Sequence, residues 1–63
     1  MTIEEQITCV KREIDYRRRC YPRWVREERI TPEKAQHGID GMTAVLGTLL
    51  SVQEARSPQG RLF

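Results

Sequence analysis

The tetrapeptide Ile30-Thr31-Pro32-Glu33 divides this 63-residue chain into two halves and predicts the start of a helix. A threonine hydroxyl caps the first backbone N–H groups of a helix, and proline suits the first helical position, where no N–H donor is needed. On both sides of the tetrapeptide, core-forming positions recur at alternating spacings of four and three, the period of an amphipathic helix. The upstream set is Ile3, Ile7, Val10, Ile14, Arg17, Tyr21 and Trp24, and the downstream set is Ala35, Ile39, Met42, Leu46, Leu49 and Gln53. Two such helices joined by a short turn are expected to fold back on each other, so the sequence predicts an all-α, antiparallel two-helix hairpin.

The predicted hairpin occupies residues 1–56, with helices at about 3–26 and 32–55. Beyond it, the sequence Ser-Pro-Gln-Gly is typical of a helix end followed by irregular chain. Residues 57–63 are therefore predicted to form a flexible C-terminal tail.

Pro22 lies inside the predicted first helix. A proline in a helix interior removes one backbone hydrogen bond and costs about 3 kcal/mol or more. Either the helix stops near Cys20 and Pro22 opens a second short helix, or one helix continues through the proline with a kink. Tyr21 and Trp24 keep the alternating spacing across Pro22, which favours the kinked continuation.

A domain of this size has a thin core and usually needs a disulfide, a metal ion or association as a stabiliser. Cys9 and Cys20 are separated by roughly 16 Å on one predicted helix, whereas a disulfide needs Cα atoms within about 7 Å. His37 is the only histidine, so the sequence predicts no metal site and no cofactor. It also lacks a nucleophile–base set, a phosphate-binding loop and paired inward carboxylates, so we do not expect an enzyme. Association remains as the stabiliser.

The sequence predicts a cytosolic protein. Glu4 and Glu5 near the first residue argue against a signal peptide. No stretch approaches the ~20 apolar residues that a membrane span needs. Unpaired thiols also fit a reducing compartment.

The second helix carries more apolar surface than one partner helix can cover, because apolar side chains flank its core positions on both sides. An apolar arc of this width suggests a second interface. We predict a homo-oligomeric helical bundle whose contact is formed by Val45, Leu49, Leu50 and Val52. The alternative is a monomeric hairpin with a few exposed aliphatic side chains.

The first helix carries a distinctive polar surface about 180° from its core positions. It consists of Arg12, Tyr16, Arg19, Arg23 and Arg26, and we call it the arginine face. Arginines beside an aromatic ring suit the carboxylates of an acidic protein, or the phosphates and bases of a nucleic acid. The alternative is a solvated face on which Asp15 pairs with Arg19. The net charge of +2 is too small to decide between them.

Arg17 occupies a core position opposite Met42 in the predicted hairpin. Its aliphatic stem is expected to pack while its guanidinium group extends outward to Glu13, one turn back. Near the turn, Tyr21 and Trp24 are expected to form the main aromatic cluster.

Three glycines, Gly38, Gly41 and Gly47, lie in the predicted second helix. Each lowers helix stability by about 1 kcal/mol relative to alanine. Their presence implies either the close approach of a neighbour or stability gained from packing.

The pentapeptide Tyr21-Pro22-Arg23-Trp24-Val25 resembles a sequence found in a set of small phage and prophage accessory proteins. The other matching residues are Cys9-Val10-Lys11-Arg12-Glu13-Ile14, Thr31, Ala35, Ile39, Met42, Ala44-Val45-Leu46 and Thr48-Leu49. The resemblance covers about residues 3–50. The similar proteins often have glycine in the turn where this chain has Glu28, so a strained or differently wound turn is expected.

This resemblance implies a phage-encoded early or accessory protein, of the kind found in lambdoid-type accessory regions, that works in the host bacterial cytosol. It brings no catalytic residues. We therefore predict a small regulatory protein that acts by protein–protein interaction with a host or phage factor. The alternative is nucleic-acid or nucleotide binding through the arginine face.

Overall fold

The computed structural model describes residues 1–56, which form two helices, α1 (Ile3–Arg26) and α2 (Pro32–Arg56). These residues contain no strand, so the all-α prediction is confirmed, and α2 runs one residue past its predicted end. Neither helix is long and apolar enough to cross a membrane. The predicted tail, 57–63, lies outside the described residues.

Contacts between α1 and α2 show that the helices are antiparallel. Near the middle of the hairpin, Ile14 and Leu46 line one groove. Nearer the turn, the Tyr21 side chain lies against Gly38. Because later positions on α1 meet earlier positions on α2, the chain folds back as the helix periods predict.

α1 begins at the capping box that its sequence predicts. The Thr2 backbone N–H donates to Glu5 Oε1 at 2.8 Å, and the Glu5 backbone N–H donates to Thr2 Oγ1 at 3.1 Å. The helix then continues through Pro22, which lies at an exposed position. The predicted continuation of the first helix through Pro22 is confirmed, and the kink stays a prediction.

α1 ends in a Schellman motif, in which a left-handed residue lets two backbone N–H groups bond to the last carbonyls of the helix. The Glu28 N–H donates to the Val25 carbonyl at 3.0 Å, and the Arg29 N–H donates to the Trp24 carbonyl at 2.8 Å. Glu28 has a φ of 61°, in the region that glycine adopts most readily. The Arg29 guanidinium carbon lies 5.3 Å from the centroid of the Trp24 ring, so a cation–π contact supports this turn.

Replacing Glu28 by glycine should stabilise the hairpin. Left-handed backbone costs a residue with a Cβ atom about 1–2 kcal/mol, whereas the greater chain entropy lost by glycine offsets roughly 0.5–1 kcal/mol of the gain. We expect E28G to unfold at a melting temperature several degrees higher, measured by far-UV circular dichroism. E28A removes the carboxylate but keeps Cβ, so it is the matched control and should show no increase. Equal melting temperatures for E28G and E28A would show that this backbone is not strained.

α2 begins at the predicted threonine cap. The Lys34 backbone N–H donates to Thr31 Oγ1 at 3.1 Å, and the Ala35 N–H donates to the Thr31 carbonyl at 3.0 Å. Pro32 is the first residue of the helix, where its missing N–H is not needed.

The core between the helices is small. Ile7, Ile14 and Ala35 are buried, whereas Leu46 and Leu49 are half-buried. In the described part of the chain, Ile7, Ile14 and Ala35 are the only side chains that are buried. The hairpin therefore has little buried apolar surface to offset its conformational entropy.

The glycines of α2 differ in what surrounds them. A Cβ atom at Gly38 would lie 3.1 Å from the Tyr21 hydroxyl oxygen, so a glycine here permits the close approach of α1. A Cβ atom at Gly41 or Gly47 would meet nothing within 4 Å. The hairpin alone therefore does not explain these two glycines.

Arg17 links the two helices. Its Nε donates to Glu13 Oε2 at 2.7 Å, which confirms the predicted partner. Its Nη1 also donates to the Gly38 carbonyl at 2.9 Å, so the guanidinium group reaches across to α2 and does not extend outward as expected. A helical carbonyl has a second lone pair that can accept this bond, and Gly38 has no side chain to block the approach.

Candidate functional site

The four arginines of the arginine face are all exposed along α1. Two ion pairs lie near this face: Glu13 pairs with Arg17, and Glu27 pairs with Arg29. None of the four guanidinium groups of the face has a carboxylate within 4.0 Å among residues 1–56. Their hydrogen-bond donors are therefore available to another molecule.

The predicted ion pair between Asp15 and Arg19 does not form among the described residues. Both side chains are exposed. An exposed pair of this kind gains well under about 1 kcal/mol and must immobilise two side chains, so its absence has a simple physical reason. Asp15 therefore does not neutralise the charge of Arg19, as the hypothesis of a solvated face requires.

The ring of Tyr16 contacts the aromatic cluster at the turn. Its ring centroid is 6.4 Å from that of Trp24, and the two rings meet edge to face at 77°. Trp24 in turn packs against Tyr21 with centroids 5.5 Å apart, which confirms the predicted aromatic cluster at the turn. Tyr16 itself is exposed, and only its ring reaches back toward Trp24. Tyr16, Cys20 and Trp24 follow at spacings of four, and the long Tyr16 side chain leans along that row.

The Tyr16 hydroxyl remains neutral at physiological pH. The neighbouring Cys20 side chain raises the pKa of Tyr16 above its ordinary value of 10.0, mainly through a hydrogen bond and through repulsion between the two ionised forms. The residue is 47% exposed, so its hydroxyl oxygen can accept a hydrogen bond from a partner. The contact between the Tyr16 and Trp24 rings restricts where this hydroxyl can lie.

Trp24 carries a feature that the sequence does not reveal. Its Nε1 is buried and finds no acceptor in the described part of the chain. The Arg29 guanidinium group covers the ring at 5.3 Å. A buried N–H without an acceptor destabilises a fold by about 1–3 kcal/mol. The contacts of the Trp24 ring with Tyr16, Tyr21 and Arg29 offset this cost.

The site is thus a row of free guanidinium groups beside a supported tyrosine. The five predicted residues lie along one side of α1, and Cys20, Trp24 and Arg29, which the sequence did not assign to this face, adjoin them. The spacing of four from Tyr16 through Cys20 to Trp24 was the available signal for two of these. The described residues contain no group of three or more metal-binding side chains. The arrangement can bind carboxylates or phosphates, because both accept the paired donors of arginine.

The fold and this surface define the protein as a small helical-hairpin module with a basic outer face. No family model, curated protein or solved structure matches the chain. The resemblance carried by Tyr21–Val25 therefore stays a prediction.

Proposed function

We propose that this protein is a small accessory or regulatory protein that acts by binding a host or phage protein, and not by catalysis. The observation that carries the proposal is the arginine face, where four exposed guanidinium groups lack carboxylate partners in the described chain. Tyr16 stands beside them with its ring held by Trp24. Arginine and tyrosine are enriched among the residues that contribute most to protein interfaces.

The partner that suits this face is an acidic protein surface. A guanidinium group binds a carboxylate through two parallel hydrogen bonds, which fixes direction as well as charge. From Arg12 to Arg26 the face extends for about 21 Å at ~1.5 Å per residue. An acidic helix or strand of similar length could contact all four arginines at once.

The proposed phage origin and the proposed location in the host bacterial cytosol rest on the resemblance at Tyr21–Val25. Small accessory proteins of phages that act on host factors need no catalytic residues, and the described surface has the features of a contact region. The origin and the contact region are separate proposals, because the arginine face stands on its own geometry.

The alternative function is nucleic-acid or nucleotide binding through the same face. Free guanidinium groups neutralise phosphates, and a half-exposed ring can stack on a base. The position of Tyr16 against Trp24 favours a protein partner, because one part of its ring is already occupied by the edge-to-face contact.

Reversing charge at Arg19 and Arg23 should abolish partner binding while leaving the helices intact. The variant R19E/R23E replaces two free donors by carboxylates that repel an acidic surface. The matched control is K11E/R18E, which makes the same change in charge on exposed positions away from the arginine face. Tagged parent and variants would be used to capture proteins from bacterial lysate, with helix content checked by circular dichroism. Equal capture by R19E/R23E and K11E/R18E would contradict the proposal.

The same capture distinguishes the two functions when it is done with and without nuclease. A protein that remains bound after nuclease treatment supports the proposed function, and a complex that disappears supports the alternative. Salt gives a second criterion. Binding to duplex DNA should weaken with a log–log slope of about −0.9 for each phosphate contact. For an acidic protein, salt should act mainly on the association rate.

We also propose that the chain forms a homo-oligomer. Val45 is 44% exposed, Leu50 is 40% exposed and Val52 is 36% exposed, so α2 presents apolar side chains that α1 does not cover. The core is small, and Cys9 and Cys20 form no disulfide with each other, so we propose that association supplies the added stability.

A further inference from the structure

The hairpin has two flanks that differ in charge. On one flank, the bond from Arg17 to the Gly38 carbonyl joins two rows of side chains. The α1 row is Glu13, Arg17, Cys20 and Trp24, and the α2 row is Gly38, Gly41, Val45, Thr48 and Val52. We call this side the neutral flank, because its Glu13 and Arg17 side chains pair with each other at 2.7 Å.

The opposite side, which we call the basic flank, has charged residues at its edge. Its groove is lined by Lys11, Ile14, Asp15, Arg18, Thr43 and Leu46. Leu50 follows Leu46 at a spacing of four and Thr43 at seven, so it belongs to this flank. The exposed apolar residues of α2 are therefore divided, with Val45 and Val52 on the neutral flank and Leu50 on the basic one.

Charge selects the flank on which a second copy of this chain can dock. Although 32% of the chain is charged, residues 41–53 contain no charged side chain. Two neutral flanks can meet without desolvating an unpaired charge. Contact through two arginine faces would bring groups of like charge together, which costs binding energy. Contact through two basic flanks would desolvate Lys11, Asp15 and Arg18, none of which forms an ion pair among the described residues.

The α2 row of the neutral flank also complements itself. Its spacing from Gly41 to Val45, Thr48 and Val52 is four, three and four, which reads the same in both directions. In an antiparallel pair centred between Val45 and Thr48, each Gly41 faces Val52 of the second copy, and each Val45 faces Thr48 of the second copy. Large side chains thus meet small ones, as closely packed helices require. This pairing would also account for Gly41, which has open space around it in the single hairpin.

We infer that two copies of this chain pair through their neutral flanks, with α2 antiparallel to α2 about a two-fold axis between Val45 and Thr48. The inference rests on the homo-oligomer proposed above and names its surface. A symmetric contact uses the same patch on both subunits, as this self-complementary row allows. Leu50 takes no part, and the arginine faces remain free for another partner.

Sedimentation equilibrium from micromolar to millimolar concentration tests the pairing. The parent should approach twice its monomer mass of 7.4 kDa as concentration rises. V45E should weaken association by at least about tenfold, because it buries a carboxylate without a partner. L50E, which introduces the same group at a similarly exposed position on the basic flank, should retain the parent mass. V45E/T48K should restore association, because each new carboxylate then faces a new ammonium group in the antiparallel register.

A monomer mass for the parent at all concentrations would overturn the inference, and so would equal disruption by V45E and L50E. Should V45E unfold, a cross-linking measurement decides instead. In a C9S/C20S background, a mixture of V45C chains and T48C chains should form a disulfide-linked heterodimer under mild oxidation, whereas a mixture of L50C and T48C chains should not; failure of the first mixture to link would count against the pairing. R19E/R23E should keep the parent mass, so loss of the partner protein and loss of the dimer can be told apart.

Discussion

The Trp24→Ala variant is expected to lose about 3 kcal/mol of its free energy of unfolding, a third or more of the total. Trp24 contacts Tyr16, Tyr21 and Arg29, and its loss removes the centre of the aromatic cluster at the turn. Truncating a buried aromatic side chain costs about 3–5 kcal/mol, and Trp24 is half-buried, which places the cost near the lower end. A chain of this length has a free energy of unfolding of only about 3–9 kcal/mol. Urea denaturation followed by circular dichroism, at one fixed protein concentration, measures the loss.

The control for this prediction is Trp24→Phe, which keeps an aromatic ring and removes Nε1. Because that N–H has no acceptor in the described chain, its removal should cost little, and W24F should stay folded. A W24A variant that folded as well as W24F would contradict the structural role. If W24A stayed folded but lost the partner protein, Trp24 would instead be a binding residue.

Ile14→Ala should lower the free energy of unfolding by about 2–5 kcal/mol. Ile14 is 6% exposed, and it lines a groove with Leu46 across the helix pair. In a core with so few buried side chains, the neighbours cannot close the cavity that the substitution leaves. Chemical denaturation of I14A against the parent measures the change.

Leu50→Ala is the matched control for I14A, because it also shortens an aliphatic side chain but at a position that is 40% exposed. Surface substitutions of this kind usually change stability by less than about 0.5 kcal/mol. Equally small losses for I14A and L50A would mean that Ile14 is not in the core. Equally large losses would instead point to Leu50 as an interface residue.

Local signals accounted for the helices and their starts. Thr2 and Glu5 specify the first helix start, and Thr31 with Pro32 specifies the second, because each cap depends on residues close in sequence. The unbroken spacing across Pro22 predicted a continuous α1, as observed. The left-handed conformation of Glu28 has no local signal of its own, and only the resemblance to proteins with glycine at this position suggested an unusual turn.

Contacts between the helices were harder to predict. The bond from Arg17 to the Gly38 carbonyl depends on how closely the two backbones approach, which the helix period alone does not give. The lean of Tyr16 toward Trp24 depends on side-chain rotamers and is likewise not visible in a helical projection. The five residues of the arginine face could be identified from spacing, whereas their lack of carboxylate partners required the structure.

The nearly equal lengths of the two helices have a consequence for labelling. α1 has 24 residues and α2 has 25, so Ile3 and Arg56 return to the same end of the hairpin. Packed helices lie about 8–10 Å apart, which sets the distance between these two positions on the order of 10 Å. Two fluorophores attached next to Ile3 and Arg56 would transfer energy efficiently while the hairpin is closed. Opening at the turn would separate them by tens of ångströms, so a single optical signal would follow the opening and closing of the molecule.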